Sequence, residues 1–107
     1  MRELGPRQLQ AYLAQAGAPP PLLLDVREPW EFQRARIADT LLIPMREIPA
    51  ALTRLDPDRE IVVICHHGIR SRHVAQFLES RGFGRVINLS GGIDAWAREV
   101  DPSIPFY

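Results

Sequence analysis

The sequence predicts an α/β domain built on a largely parallel central sheet. Short aliphatic runs, "LLLDV", "TLLIP", "IVVI" and "RVINL", recur along the chain, and the segments between them return their apolar residues at helical spacing. Strands and helices therefore alternate at short intervals, the pattern of parallel sheets with helical crossovers. No internal repeat, low-complexity stretch or long linker divides the 107 residues, so one domain spanning 1–107 is expected. That length can bury a core without disulfides or metal staples.

Pro6 suits a helix's first turn, and Leu9, Tyr12, Leu13 and Ala16 follow at helical spacing before Gly17 offers a stop. The cluster Pro19 to Pro21 breaks that helix. "LLLDV" then reads as a buried strand that delivers Asp25 at its carboxyl end, and "EPWEFQRAR" as a helical turn. "TLLIP" is strand-like and stopped by Pro44; Ile48, Leu52 and Leu55 give another helical stripe ending near "DPD". "IVVI" is the clearest strand. Val74, Phe77, Leu78 and Arg81 follow helical spacing up to Gly82, a good terminator, and "RVINL" supplies the next strand. "SGGIDAWAREV" closes with a helix. "DPSIPFY", with two prolines, reads as an extended strap over the surface.

A formal net charge of zero leaves no electrostatic footprint for nucleic acid or an anionic membrane. No apolar run reaches about 18 residues, and "MRELGPRQLQ" lacks the apolar core of a signal peptide, so a cytoplasmic protein is expected. All thirteen basic residues are arginine, which leaves no lysine for Schiff-base chemistry. The single cysteine, Cys65, cannot form an internal disulfide; it is a thiol either inert or used.

In "IVVICHHGIRS" the best strand runs straight into Cys65, His66, His67, Gly68, Ile69 and Arg70, with a helix expected to start near Ser71. Ligands in such folds sit beyond the carboxyl ends of the strands. A tight strand-to-helix turn aims successive backbone N–H groups and the positive end of the helix dipole at one point, where an anion binds. A thiol in that bowl loses its proton more easily, helped by the Arg70 guanidinium. Gly68 permits a backbone conformation or close approach that a side chain obstructs. Arg70, a planar fork of donors, suits an oxyanion such as a sulfonate or phosphate. Cys65 thus reads as a nucleophile. The plainer alternative, a cysteine packed as a small hydrophobe at a strand end, explains neither the arginine nor the histidines.

These residues resemble the single-domain rhodanese-like proteins, persulfide-forming sulfurtransferases. CHHGIRS is similar to the family's short active-site loop (Cys, two variable residues, Gly, one variable residue, Arg, Ser), "LLLDVREPWEF" to its early strand and acidic-basic motif, and "VINLSGGIDAW" to the glycine-rich turn before its last helix. The motifs keep the family's order from near Leu22 to Trp96. The resemblance implies a three-layer domain with about five strands, mostly parallel, flanked by helices. It implies that Cys65 takes the outer sulfur of thiosulfate or a related donor, releases sulfite, and passes the sulfur from its persulfide to a thiophilic acceptor. His66, His67, Gly68, Ile69, Arg70 and Ser71 are the expected substrate-binding loop, with its N–H groups around the terminal sulfur. No metal or organic cofactor is needed. The expected partners are the small-molecule donor and acceptor, with a sulfur-relay protein as a further candidate.

Asp25 and Arg27 are expected to pair and brace the loop rather than react, with Glu31 structural as well. His66 and His67 are adjacent, a poor match to zinc-ligand spacing, and read as pocket-mouth residues that bind an anion or respond to pH. His73 and Arg72 read as solvated helix residues, and Ser71 as a helix cap before a donor to Cys65. Gly91 and Gly92 serve close turns; Trp30 and Trp96 are expected in the core. The chain departs from the family at Ala35-Arg36-Ile37 and Asp39-Thr40, and Arg36 is expected to add positive charge near the site.

Two other functions compete with sulfur transfer. A cysteine-dependent phosphatase or arsenate reductase also uses a cysteine and an arginine on an anion-cradling loop. Four residues separate Cys65 from Arg70, against five in the tyrosine-phosphatase pattern, and the shorter bowl suits one sulfur atom better than a phosphoryl group. A non-catalytic persulfide carrier or interaction module has the same loop and is not distinguished by sequence.

Overall fold

Ile61–Ile64 forms the middle strand of a five-stranded parallel sheet in the computed structural model, which describes residues 1–107. The strands are β1 (Arg2–Leu4), β2 (Leu22–Asp25), β3 (Leu41–Leu42), β4 (Ile61–Ile64) and β5 (Val86–Leu89), in the order β1-β5-β4-β2-β3. Every neighbouring pair runs parallel. The α/β expectation holds, and each crossover passes through helical turns as parallel pairing requires.

Alternation along β4 divides the core into two layers. Ile61, Val63 and Cys65 face one side, where Ile48, Ala51, Val74, Ala75 and Leu78 cover them. Those residues come from α3 (Ile48–Ala51) and α4 (Ile69–Ser80). Val62 and Ile64 face the other side, under Leu9 of α1 (Pro6–Gln15) and Ile93, Trp96 and Ala97 of α5 (Gly92–Glu99). Helix α2 (Pro29–Arg34) follows β2 across the carboxyl edge of the sheet.

Several expectations need correction. Strand β1 lies within a stretch that reads as polar: only Leu4 is buried, and the strand joins the sheet by backbone pairing, Leu4 opposite Leu89. The run "TLLIP" forms only two strand residues, and the stripe from Ile48 to Leu55 is a short α-helix between 3₁₀ turns at Met45–Glu47 and Leu52–Arg54. Pro44 and Pro49 punctuate that segment, and each lacks the N–H that regular structure needs. Trp30, expected in the core, is 60% exposed; it lies on the outer side of α2, whereas Trp96 is buried. Helix α4 starts at Ile69, two residues before the expected point, because Gly68 takes the left-handed conformation (φ +95°) that turns the chain into the helix. Gly82 (φ +92°) ends it as expected.

Asp39 is the one non-glycine residue with positive φ, +62°. Aspartate tolerates that conformation better than most residues. The neighbouring Arg36 lays its guanidinium 4.7 Å from the centre of the Phe32 ring rather than extending to the Cys65 loop. The strap "DPSIPFY" opens with a turn at Asp101–Ser103 and buries Ile104 against the second layer, and its last aromatic enters the carboxyl edge of the sheet.

Candidate active site

Strand pairing sets the floor of the site. Asp25 is opposite Ile64, so the β2 carboxylate and the thiol one residue past β4 share the carboxyl edge, as the sequence implied. Both are buried.

Cys65 is 1% exposed, and its sulfur is met almost entirely by the start of α4. The Gly68 N–H points at Sγ from 3.1 Å and the Ser71 N–H from 3.3 Å, while the thiol donates to Ser71 Oγ at 3.2 Å. Ser71 is therefore no cap. It is the third residue of the helix and contributes both its amide and its hydroxyl to the sulfur. The plainer reading of Cys65 is half right: its side chain belongs to the apolar layer with Val63 and Val74, and its sulfur tip lies in a polar cradle.

The neighbouring backbone turns the loop inward. Helix α5 begins against the outer side of the Cys65 turn, where the Ile93 and Asp94 N–H groups donate to the Cys65 and His66 carbonyls at 2.9 and 3.1 Å. Those two bonds use the helix's free N-terminal donors and hold the loop carbonyls away from the sulfur. A Cβ on Gly92 would lie 2.4 Å from the His66 carbonyl oxygen and 2.5 Å from that of Cys65, so only glycine allows the approach. A Cβ on Gly68 would lie 3.0 Å from Gly91 N and 3.2 Å from the Leu89 carbonyl oxygen. The Gly68 carbonyl accepts from Asn88 Nδ2 at 3.2 Å, and the same amide reaches Glu3 Oε1 at 2.8 Å.

Asp25 and Arg27 pair as expected, with Arg27 Nη2 2.7 Å and Nε 2.9 Å from the carboxylate. Arg27 also donates to the Ala35 carbonyl (2.7 Å), the Glu31 carbonyl (3.3 Å) and the Tyr107 hydroxyl (2.7 Å). A fully buried guanidinium with partners on all sides is a brace for α2, and burial that disfavours its charge is outweighed by Asp25 and Tyr107.

Arg70 does not stand free. Its Nη1 and Nη2 make a two-pronged ion pair with Glu31 at 2.7 and 2.9 Å, leaving the guanidinium about one-third exposed. Burial pushes the Glu31 carboxyl up, but Arg70, the Glu28 N–H (3.1 Å) and the Tyr107 hydroxyl (2.8 Å) more than offset it and hold the carboxyl down at about 2. The same pairing raises Arg70, which also feels the Cys65 charge. Glu31 is structural in one sense, yet it holds the residue expected to close the bowl.

His66 and His67 stack on each other, centroids 3.9 Å apart, and Tyr107 stacks on His66 at 4.0 Å and 10°. Burial, then the His67 charge, lowers the His66 pKa, which favours the neutral imidazole. His67 and Ile69 are exposed at the rim; His67 Nδ1 lies 3.9 Å from Asp94. His73 is exposed on α4, and Arg72 pairs with Glu3 at 2.7 Å, tying α4 to β1. Sequence reasoning missed Tyr107, Asn88 and Glu3. A polar residue inside the aliphatic "RVINL" was a usable signal for Asn88; nothing local marked Tyr107, whose partners lie 76 and 80 residues away.

A thiol at the carboxyl end of the middle strand, cradled by the first turn of the next helix, defines an α/β domain built around a single cysteine. The chain belongs to the rhodanese-like family: residues 6–99 match the Rhodanese-like domain. It is 42% identical over 83 residues to a sulfurtransferase of Allochromatium vinosum, covering 78% of each chain. It is 32% identical over 96 residues to the thiosulfate sulfurtransferase GlpE of Actinobacillus pleuropneumoniae, covering 90% of this chain and 86% of that one. Among solved structures, a rhodanese-related protein from Thermoplasma volcanium superposes with a TM-score of 0.83 at 30% identity over the whole of both chains.

Proposed function

We propose that the chain is a sulfurtransferase that moves sulfane sulfur from thiosulfate or a related donor to a thiophilic acceptor through a Cys65 persulfide. The observation that carries the reading is the convergence of the Gly68 and Ser71 N–H groups on Sγ. In the first step the Cys65 thiolate attacks the outer sulfur of thiosulfate. A new S–S bond forms, the donor's own S–S bond breaks, and sulfite leaves with the electron pair. In the second step a nucleophile such as cyanide or a thiolate attacks the outer persulfide sulfur, and the Cys65 thiolate is released.

Roles follow from placement. The Gly68 and Ser71 amides stabilise negative charge on sulfur in both half-reactions without reorganising, and Ser71 Oγ donates to the thiolate once the thiol proton is gone. Arg70, held by Glu31, offers its exposed side to the departing sulfonate. His66 and His67 wall the mouth. A cysteine only 1% exposed suits the transfer of one atom better than attack on a bulky phosphoryl group. Helix α5 fixes the loop.

Steady-state formation of thiocyanate from thiosulfate and cyanide tests the proposal. Parallel double-reciprocal lines, abolished in Cys65→Ser, are expected of the two-step cycle. Intersecting lines, or turnover of a phosphate ester with no thiocyanate, overturn it. Persulfide formation with negligible transfer to small acceptors assigns the sulfur to a protein acceptor in a relay.

A further inference from the structure

Tyr107 joins two charged groups that the primary structure keeps far apart. Its hydroxyl accepts from Arg27 Nη1 at 2.7 Å and donates to Glu31 Oε2 at 2.8 Å. Its ring lies flat on His66, 4.0 Å away, and meets the Trp30 ring edge-on at 5.8 Å and 84°. One stacked and one edge-on aromatic contact leave the ring little freedom to swing, so the hydroxyl is fixed between its partners. A continuous chain results, Asp25 to Arg27 to Tyr107 to Glu31 to Arg70, running from the sheet edge to the mouth of the Cys65 loop.

We propose that Tyr107 is a positioning residue for recognition of the anionic sulfur donor, acting on Arg70 through Glu31. The inference rests on the sulfurtransferase reading. Glu31 accepts four bonds: two from Arg70, one from the Glu28 N–H and one from Tyr107. A sulfonate approaching the loop has to share Arg70 with that carboxylate. The Tyr107 bond spreads the carboxylate's charge and fixes its plane, which keeps the guanidinium aimed and its remaining N–H groups shareable. Without the hydroxyl, Glu31 relies more heavily on Arg70, and Arg27 loses one acceptor. Both effects weaken the hold on an incoming anion.

Phenylalanine keeps the stack on His66 and removes only the bridge, so Tyr107→Phe isolates the hydroxyl, and Tyr107→Leu removes ring and hydroxyl together. The first measurement avoids turnover: titration calorimetry of thiosulfate into Cys65→Ser protein with and without Tyr107→Phe. A dissociation constant raised about five- to tenfold is expected, less than the direct loss of a charge-assisted hydrogen bond because the hydroxyl acts through Glu31. Equal affinity in the two proteins, or no affinity in either, overturns the proposal. The second measurement separates the half-reactions in otherwise unaltered protein, timing persulfide formation from thiosulfate and then its discharge to cyanide. The ratio of the first rate to the second is expected to fall about five- to tenfold in Tyr107→Phe. A purely structural role lowers both rates together and leaves the ratio at its wild-type value, which also overturns the proposal. Failure of the wild-type protein to form thiocyanate refutes the sulfurtransferase reading instead, and the calorimetric comparison still decides the case of Tyr107.

Discussion

Replacing Glu31 with glutamine removes one charge and almost no volume from the pair that holds Arg70. Against an ordinary carboxyl value of 4.5, the folded value of about 2 sets the size of the effect. At about 1.4 kcal/mol per pH unit the gap has a ceiling of about 3 kcal/mol. Arg70 is one-third exposed, and solvent screening brings the expected loss at pH 7 to about 1 to 2 kcal/mol. The sign is fixed by the direction of the shift. A depressed carboxyl contributes its full stability above 4.5 and loses it as pH falls toward 2, because the unfolded chain takes up the proton first. Urea denaturation of wild type and Glu31→Gln at pH 7, 5, 4 and 3 measures this. The difference between the two proteins should be constant from pH 7 to 5 and fall to less than half by pH 3. A difference that stays level across that range, or grows at low pH, refutes the view that the ionised carboxylate holds Arg70.

Three further predictions follow from the same contacts. Gly92→Ala drives a Cβ into the His66 and Cys65 carbonyl oxygens and strains a φ of +61°, so about 2 to 4 kcal/mol of stability is lost, read from the denaturation midpoint; an unshifted midpoint contradicts the packing of α5 on the loop. Ser71→Ala keeps the amide but removes the hydroxyl beside Sγ, and slows persulfide formation about three- to tenfold, measured under single-turnover conditions. The depressed His66 pKa means the unfolded state protonates first as pH drops through about 6.5. Wild-type stability should therefore decline between pH 7.5 and 5.5 more steeply than that of His66→Phe, which keeps a ring on Tyr107 but has no titrating group; identical slopes contradict the lowered His66 pKa.

The elements legible in the sequence were those whose chemistry is local. "IVVI" declared itself because four consecutive aliphatic residues are buried on both faces of the sheet, and the Cys65 loop because cysteine, glycine and arginine stand a few residues apart at its end. What stayed hidden depends on contacts across the chain. Strand β1 has a polar face and one inward leucine, so its strand character comes from pairing with β5 rather than from its own residues. Trp30 looked like core because large aromatics usually are; it is exposed on α2, and its ring meets Tyr107, far along the chain. Arg70 lies in the first turn of α4, and its partner was not foreseen, since no spacing rule links it to a glutamate 39 residues earlier. Ser71 was misread for a local reason. The left-handed turn at Gly68 starts the helix early and moves the serine from the cap position into the cradle.

The proposed cycle makes one direct demand: the transferred sulfur must reside on Cys65 between its two steps. Intact-mass measurement of the protein after incubation with thiosulfate and removal of excess reagent tests that most directly. The account predicts a gain of one sulfur atom that cyanide removes and that Cys65→Ser never acquires. An unchanged wild-type mass, or an equal gain in Cys65→Ser, contradicts it.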